Sequence, residues 1–183
     1  MSGVRGCQIM ETLRVIDFVD GTSVDGPGLR TAIYFAGCAH GCDSCHNPQT
    51  WDFKAGEDMS VDEILDRVER NGHNVTFTGG DPIYQSKALT ALAKAIRGRG
   101  YNIWCYTGFT YEQLFSEGAP EGCLELLDEI DVLVDGPFVK ALREQGLRFR
   151  GSSNQRIIDL RATPAGGPPA LHPAHYGPEP PCF

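Results

Sequence analysis

The stretch GCAHGCDSCHNP, residues 37–48, places three cysteines in one short loop. Their spacing is Cys38-x3-Cys42-x2-Cys45, and the stretch holds no fourth cysteine. Structural zinc sites and electron-transfer iron–sulfur clusters commonly use four protein ligands. The loop therefore indicates either a metal site with a fourth ligand from elsewhere or a site with one position left open.

Three interpretations of this loop are open on its residues alone. A structural zinc ion would take His40 or His46 as its fourth ligand, although closed zinc sites usually join ligand pairs that lie far apart in sequence. An electron-transfer cluster would need a remote cysteine, Cys105 or Cys123, and neither lies in a motif. A four-iron cluster with one iron free of protein would offer a place for chemistry, as open catalytic zinc sites do.

Composition and charge limit the classes of function. The chain has 183 residues, which suggests one domain, and a formal net charge of -8 from 16 basic and 24 acidic residues. A nucleic-acid binder needs a basic face, so this charge argues against that class. We find no run of about 18 apolar residues and no signal-peptide core, so we expect no membrane span and a cytoplasmic location. In that reducing compartment, clustered cysteines indicate a metal or redox site.

Two β-rich runs precede the loop, and strand and helix patterns alternate after it. The Ser60 and Glu63 side chains fit a helix-capping box, and Gly72 is placed to end that helix. A second helix ends at Gly98, and shorter helical stretches follow in TYEQLF and CLELLDEI. The predicted strands are residues 13–21, 29–37, 74–80, 101–108 and 131–136, with one last strand or two short ones within 147–160.

This alternation predicts an α/β fold with a largely parallel sheet and right-handed crossovers. The β/α units are too few for a closed eight-unit barrel, so we expect an open, partial β/α barrel. We divide the chain into an N-terminal extension (residues 1–12), the α/β domain (13–161) and a Pro/Gly-rich tail (162–183). The tail holds seven of the twelve prolines, so we expect it to be disordered or laid over the surface.

The cysteine spacing resembles that of the radical S-adenosylmethionine (SAM) superfamily. The resemblance implies a partial barrel of the radical SAM type and a [4Fe-4S] cluster held by Cys38, Cys42 and Cys45, whose fourth iron binds SAM. It also implies that one electron passes to the sulfonium, which breaks the C5′–S bond and gives methionine and a 5′-deoxyadenosyl radical. No catalytic residue beyond the cluster ligands is expected.

The stretch TFTGGDP, residues 76–82, resembles the Gly-Gly-Glu element of the same superfamily, with Asp81 in place of Glu. The resemblance implies that Gly79 and Gly80 contact SAM, whereas the residues alone also fit an ordinary strand-to-helix turn. It further implies that the backbone of Ser44, Cys45 and His46 lies along the adenine.

The motifs DGPGLRT (residues 25–31) and CHNPQTW (45–51) look like those of glycyl-radical-enzyme activases. Together with DVLVDGPFV and RGSSNQRIIDL, they are most similar to the activases of anaerobic ribonucleoside-triphosphate reductase, over residues 13–160. The resemblance implies that the chain abstracts a hydrogen atom from a glycine of that reductase. It also implies flavodoxin or ferredoxin as the electron donor, and neither nucleic acid nor membrane as a partner.

Three further residues lie in these motifs. Asp25 and Asp135 are predicted to bind a cation near the SAM carboxylate or to order a glycine loop, or else to form an Asx-type turn, which Asp-Gly sequences favour strongly. Arg150 is predicted to contact the SAM ribose or the partner, or else to pair the last strand. Two alternatives to the activase remain: a small-molecule radical SAM enzyme similar to 7-carboxy-7-deazaguanine synthase, and a non-enzymatic iron–sulfur or zinc module.

Overall fold

The computed structural model describes residues 12–176, in which a seven-stranded sheet is flanked by three α-helices. The strands are β1 (Thr12–Thr22), β2 (Arg30–Phe35), β3 (Glu57–Ser60), β4 (Asn74–Gly79), β5 (Ile103–Tyr106), β6 (Val132–Asp135) and β7 (Arg156–Asp159). The helices are α1 (Val61–Asn71), α2 (Ser86–Gly98) and α3 (Cys123–Leu127). Single 3-10 turns cover Pro48–Thr50, Pro82–Gln85, Glu112–Phe115, Lys140–Leu142 and Pro173–Tyr176.

The sheet has the order β3-β1-β2-β4-β5-β6-β7 and does not close, which confirms the predicted open α/β fold. Its centre, β2-β4-β5-β6, is parallel, whereas β1 and β3 at one edge and β7 at the other pair antiparallel. The expectation of a largely parallel sheet was therefore wrong at the edges. The connection between β1 and β2, residues 23–29, is too short for a parallel crossover.

Helix α1 begins and ends as its sequence predicts. The Ser60 hydroxyl accepts from the Glu63 N–H, and the Glu63 carboxylate accepts from the Ser60 N–H at 2.8 Å. Gly72 ends the helix in the left-handed conformation, at φ 65. Because both ends are fixed locally, the apolar stripe of the helix turns toward the sheet, where Ile64 and Val68 are fully buried.

The two faces of the sheet bury different residues. The helices cover one face, and the main core lies between them and strand residues such as Ile33 and Phe77. The opposite face carries a smaller apolar cluster around Trp104. There the buried Arg30 guanidinium donates to Thr76 Oγ1 at 2.7 Å and stacks over the Trp104 ring at 5.5 Å. The side chains on this second face fill the inside of the open barrel below the carboxyl ends of the strands.

Residues 162–176 run beside β7. Leu171 forms an antiparallel bridge with Ile158, the Asp159 N–H donates to Ala170 O at 2.9 Å, and the His172 N–H donates to Ile157 O at 2.8 Å. This part of the predicted tail therefore lies along the sheet edge. Residues 1–11 and 177–183, which complete the predicted extension and tail, lie outside the described residues. No helix within 12–176 is long and apolar enough to span a membrane.

Candidate functional site

A cavity of about 370 Å³ opens at the carboxyl ends of the parallel strands. Ligands bind at this edge in open α/β sheets, because the loops that follow parallel strands converge there. The cavity is bounded by the loop after β2, the end of β4, the residues after β5 and the loop between β6 and β7. Its lining includes Asp25, Cys38, His40, Cys42, Cys45, His46, Gly79, Gly80, Thr107, Gly108, Phe138, Phe149, Arg150 and Gln155.

The three clustered cysteines all line this cavity and are partly buried. Burial raises the pKa of the Cys38 thiol to about 11, against a hydrogen bond from the backbone of His40 that lowers it. The backbone N–H of Asn47 points at the Cys45 sulfur, 3.4 Å away. A backbone N–H therefore faces the Cys45 sulfur, an arrangement that suits a thiolate bound to a positive metal centre.

The positions of the three thiols help to decide between a zinc ion and an iron–sulfur cluster. Among residues 12–176, no three His, Cys, Asp or Glu side chains converge closely enough to hold a single metal ion. A tetrahedral zinc ion needs such convergence, whereas an iron–sulfur cluster spreads its thiolate ligands over separate irons. Three thiols that line one cavity without converging on a single point fit a cluster better than they fit zinc.

Gly79 and Gly80, the predicted SAM contacts, line the cavity at the end of β4. A Cβ on Gly79 would lie 2.5 Å from Phe35 N, and one on Gly80 would lie 2.5 Å from Gly37 O. The chain's own backbone thus requires glycine at both positions, independently of any ligand. This packing brings the cysteine loop and the Gly-Gly strand end together at one side of the cavity.

Of the three residues predicted to contact the adenine, two line the cavity and one does not. Cys45 and His46 line the cavity, and the His46 ring lies 5.0 Å from the Phe138 ring. Ser44 is exposed, has a positive φ of 59 and does not belong to the lining. Asn and Asp adopt this left-handed conformation more readily than Ser, so the turn between Cys42 and Cys45 holds Ser44 in an uncommon state.

Asp25 and Arg150 also line the cavity. Burial raises the pKa of Asp25, although the Thr22 hydroxyl donates to its carboxylate at 3.0 Å. The Arg150 guanidinium donates to Gln155 O at 2.8 Å and to His175 O at 3.1 Å. A carboxylate and a guanidinium therefore lie at the cavity wall, each held by neighbouring groups.

Asp135 lies elsewhere. It is buried beneath the strand ends, is not part of the lining, and accepts from the Tyr111 N–H at 2.7 Å and from the Arg156 guanidinium at 2.5 Å. Because its carboxylate accepts hydrogen bonds from the protein itself, these contacts favour a structural role over the cation-binding role predicted from the motif.

Several lining residues were not singled out from the sequence: Thr107, Gly108, Phe138 and Phe149. For Thr107 and Gly108 a signal existed, because they follow the strand next to the Gly-Gly strand and so must meet it at the same edge. Phe138 and Phe149 come from the long irregular segment between β6 and β7, whose path no local pattern determines.

Comparison with known proteins agrees with this site. Residues 24–158 match the family described as a 4Fe-4S single cluster domain. The chain is 35% identical over 150 residues to the anaerobic ribonucleoside-triphosphate reductase-activating protein of Escherichia coli K12, which covers 75% of this chain and 93% of that protein. The protein of the same name from Enterobacteria phage T4 is 31% identical over 142 residues, covering 73% and 86%.

The solved structure of QueE from Escherichia coli aligns with 54% of this chain and 54% of its own, at 20% identity and a TM-score of 0.46. The matches to the activating proteins are longer and extend over most of both chains. The family resemblance drawn from the motifs is confirmed: the chain belongs to the family of anaerobic ribonucleoside-triphosphate reductase-activating proteins.

Proposed function

We propose that the chain is a radical SAM activase that cleaves SAM reductively and generates a glycyl radical on anaerobic ribonucleoside-triphosphate reductase. The observation that carries the proposal is the cavity at the strand ends, which gathers Cys38, Cys42 and Cys45 on one wall in a chain of this family. A catalytic metal centre needs an open position for its substrate, and three thiolates leave one iron of a [4Fe-4S] cluster without a protein ligand.

Different residues of the chain would bind the cluster and SAM. Cys38, Cys42 and Cys45 would hold the cluster, and the backbone at Gly79 and Gly80 would receive the methionyl end of SAM. When bound, the cluster and SAM would supply the radical chemistry that removes a hydrogen atom from one glycine of the reductase.

The outer part of the cavity would place the remaining groups of SAM. The backbone around Cys45 and His46 would lie along the adenine, and Ser44 would contribute through its backbone. Asp25 and Arg150 bring opposite charges to the wall, where they would orient the polar groups of SAM.

The open side of the barrel suits a protein substrate. Because the sheet does not close, an extended segment carrying the target glycine can enter between the strand ends and the segment after β6. Apolar side chains at Val24, Phe138 and Phe149 line the same cavity and would exclude water from a radical. We further propose flavodoxin or ferredoxin as the electron donor and a cytoplasmic location.

The direct test mixes the anaerobically reconstituted protein with the reductase, SAM and a reductant, and records the electron paramagnetic resonance (EPR) spectrum. We expect the doublet of a glycyl radical on the reductase. Cys38→Ala, Cys42→Ala and Cys45→Ala should abolish it, whereas Cys105→Ala, at a buried position outside the cavity lining, should retain it. SAM cleavage without any doublet would contradict the activase and favour a small-molecule radical SAM enzyme.

A further inference from the structure

We propose that His40 and Asp81 form a positioning pair that fixes the cysteine loop on the strand ends and thereby tunes the cluster. The inference rests on the proposed function, because it concerns how this chain holds that cluster. His40 lies between Cys38 and Cys42, and its Nε2 is 2.6 Å from Asp81 Oδ2. The two side chains join the loop after β2 to the residues after β4.

Asp81 is the member of the pair whose position is fixed by further hydrogen bonds. Its side chain is fully buried, and it has several donors besides His40. Oδ1 accepts from the Ile83 N–H at 3.0 Å, while Oδ2 accepts from the Thr107 hydroxyl at 2.8 Å and the Gly108 N–H at 2.9 Å. A buried carboxylate with this many donors cannot rotate without losing them. Asp81 therefore anchors β4 to the end of β5.

His40 is the member of the pair that belongs to the cysteine loop. Its ring lies directly over Gly108, where a Cβ would come within 2.4 Å of the ring, and packs edge-on against Phe109 with ring centroids 4.6 Å apart. Since the Asp81 carboxylate can only accept, the Nε2 of His40 carries the proton that joins them. The ring thus occupies the space that the absent side chain of Gly108 leaves free, and its Nε2 donates to the Asp81 carboxylate.

The backbone of His40 supplies the link to the metal ligands. His40 lies two residues from both Cys38 and Cys42, so a ring held on Asp81 restrains the backbone that joins two cluster ligands. Hydrogen bonds to the sulfurs tune the reduction potential of iron–sulfur clusters. Groups that orient metal ligands in this way typically change metal affinity or activity by about 10–100-fold when they are replaced.

The test separates the hydrogen bond from the packing of the ring. His40→Phe keeps an aromatic ring over Gly108 but cannot donate, whereas His40→Gln places an N–H donor the same number of bonds from Cβ. Each variant is reconstituted anaerobically and compared with the wild type. The readouts are the midpoint potential of the cluster, the EPR spectrum of its reduced form, and the rate at which a chelator removes iron.

We expect His40→Phe to have a more negative midpoint potential and to lose iron about tenfold faster, with a changed reduced spectrum. His40→Gln should restore the potential and the iron retention toward the wild type. Asp81→Asn should shift the potential in the same direction as His40→Phe, and the double variant should add nothing further, because both substitutions remove one interaction.

An unchanged potential and spectrum in His40→Phe would overturn the proposal, even if the thermal stability of the metal-free protein fell, since the pair would then be structural only. Failure of His40→Gln to rescue would also count against it. A wild-type protein that binds no cluster would refute the proposed function itself, and is distinguishable because the wild type is measured first in every series.

Discussion

Gly37 and Gly80 lie in backbone contact, since a Cβ on Gly80 would be 2.5 Å from the carbonyl oxygen of Gly37. The same oxygen accepts from the Asp81 N–H at 2.8 Å. One of these glycines opens the cysteine loop and the other belongs to the Gly-Gly strand end. The two motifs that carry the proposed chemistry are therefore parts of one packed unit.

Substitution of Gly80 tests this contact. A methyl group there would meet two backbone carbonyls, of Gly37 and of Thr50 at 2.8 Å, and backbone cannot move aside as a flexible side chain can. We expect Gly80→Ala to destabilise the metal-free protein by about 1–3 kcal/mol, measured by urea unfolding. Gly98→Ala is the matched control, because nothing lies within 4 Å of its Cβ position, and should be neutral or stabilise by up to about 1 kcal/mol. Equal effects of the two substitutions would refute the contact.

Asp135→Asn distinguishes a structural from a ligand-binding role for this carboxylate. It removes the charge that holds the buried end of Arg156, so we expect a loss of about 3 kcal/mol in the free energy of unfolding. Glu112→Gln is the control: Glu112 pairs with the same guanidinium but its side chain is 59% exposed, and its loss should cost less than about 1 kcal/mol. Weakened SAM binding by Asp135→Asn at unchanged stability would restore the cation-site prediction.

His175 gives the stability a pH dependence. Burial lowers its pKa, and the adjacent Arg150 and Arg156 lower it further, although Asp135 acts in the opposite direction. On acidification the unfolded chain takes up a proton near the ordinary pKa of 6.5, while the folded His175 resists, so the free energy of unfolding falls.

The measurement is thermal unfolding of the metal-free protein between about pH 7.5 and pH 5.5, across the ordinary pKa of histidine. We expect the wild type to lose more stability over this range than His175→Gln, which has no titrating group at that position. A steeper loss in His175→Gln than in the wild type would contradict the assignment.

Much of the fold follows from local signals. Helix α1 is determined by its capping box and Gly72, and the predicted strands all occur because their apolar runs are bounded by turn residues. The meeting of the cysteine loop with the Gly-Gly end was also predictable in outline. Both follow parallel strands, β2 and β4, and such loops meet at one edge of a sheet.

Other features depend on contacts that local sequence does not encode. Strand β3, Glu57–Ser60, was not predicted because three of its four residues are polar and none is buried, so it shows no apolar alternation. The role of Asp135 depends on the antiparallel register that sets it opposite Arg156, twenty-one positions away along the chain. His40 was considered only as a metal ligand, since its acceptor, Asp81, is brought to it by the sheet.

The most direct test of the central claim is the effect of SAM on the reduced cluster of the anaerobically reconstituted protein. We predict about four irons and four sulfides per chain and an EPR spectrum that changes when SAM is added, because the open iron is where SAM binds. Zinc without sulfide, or a cluster whose spectrum does not respond to SAM, would contradict the account.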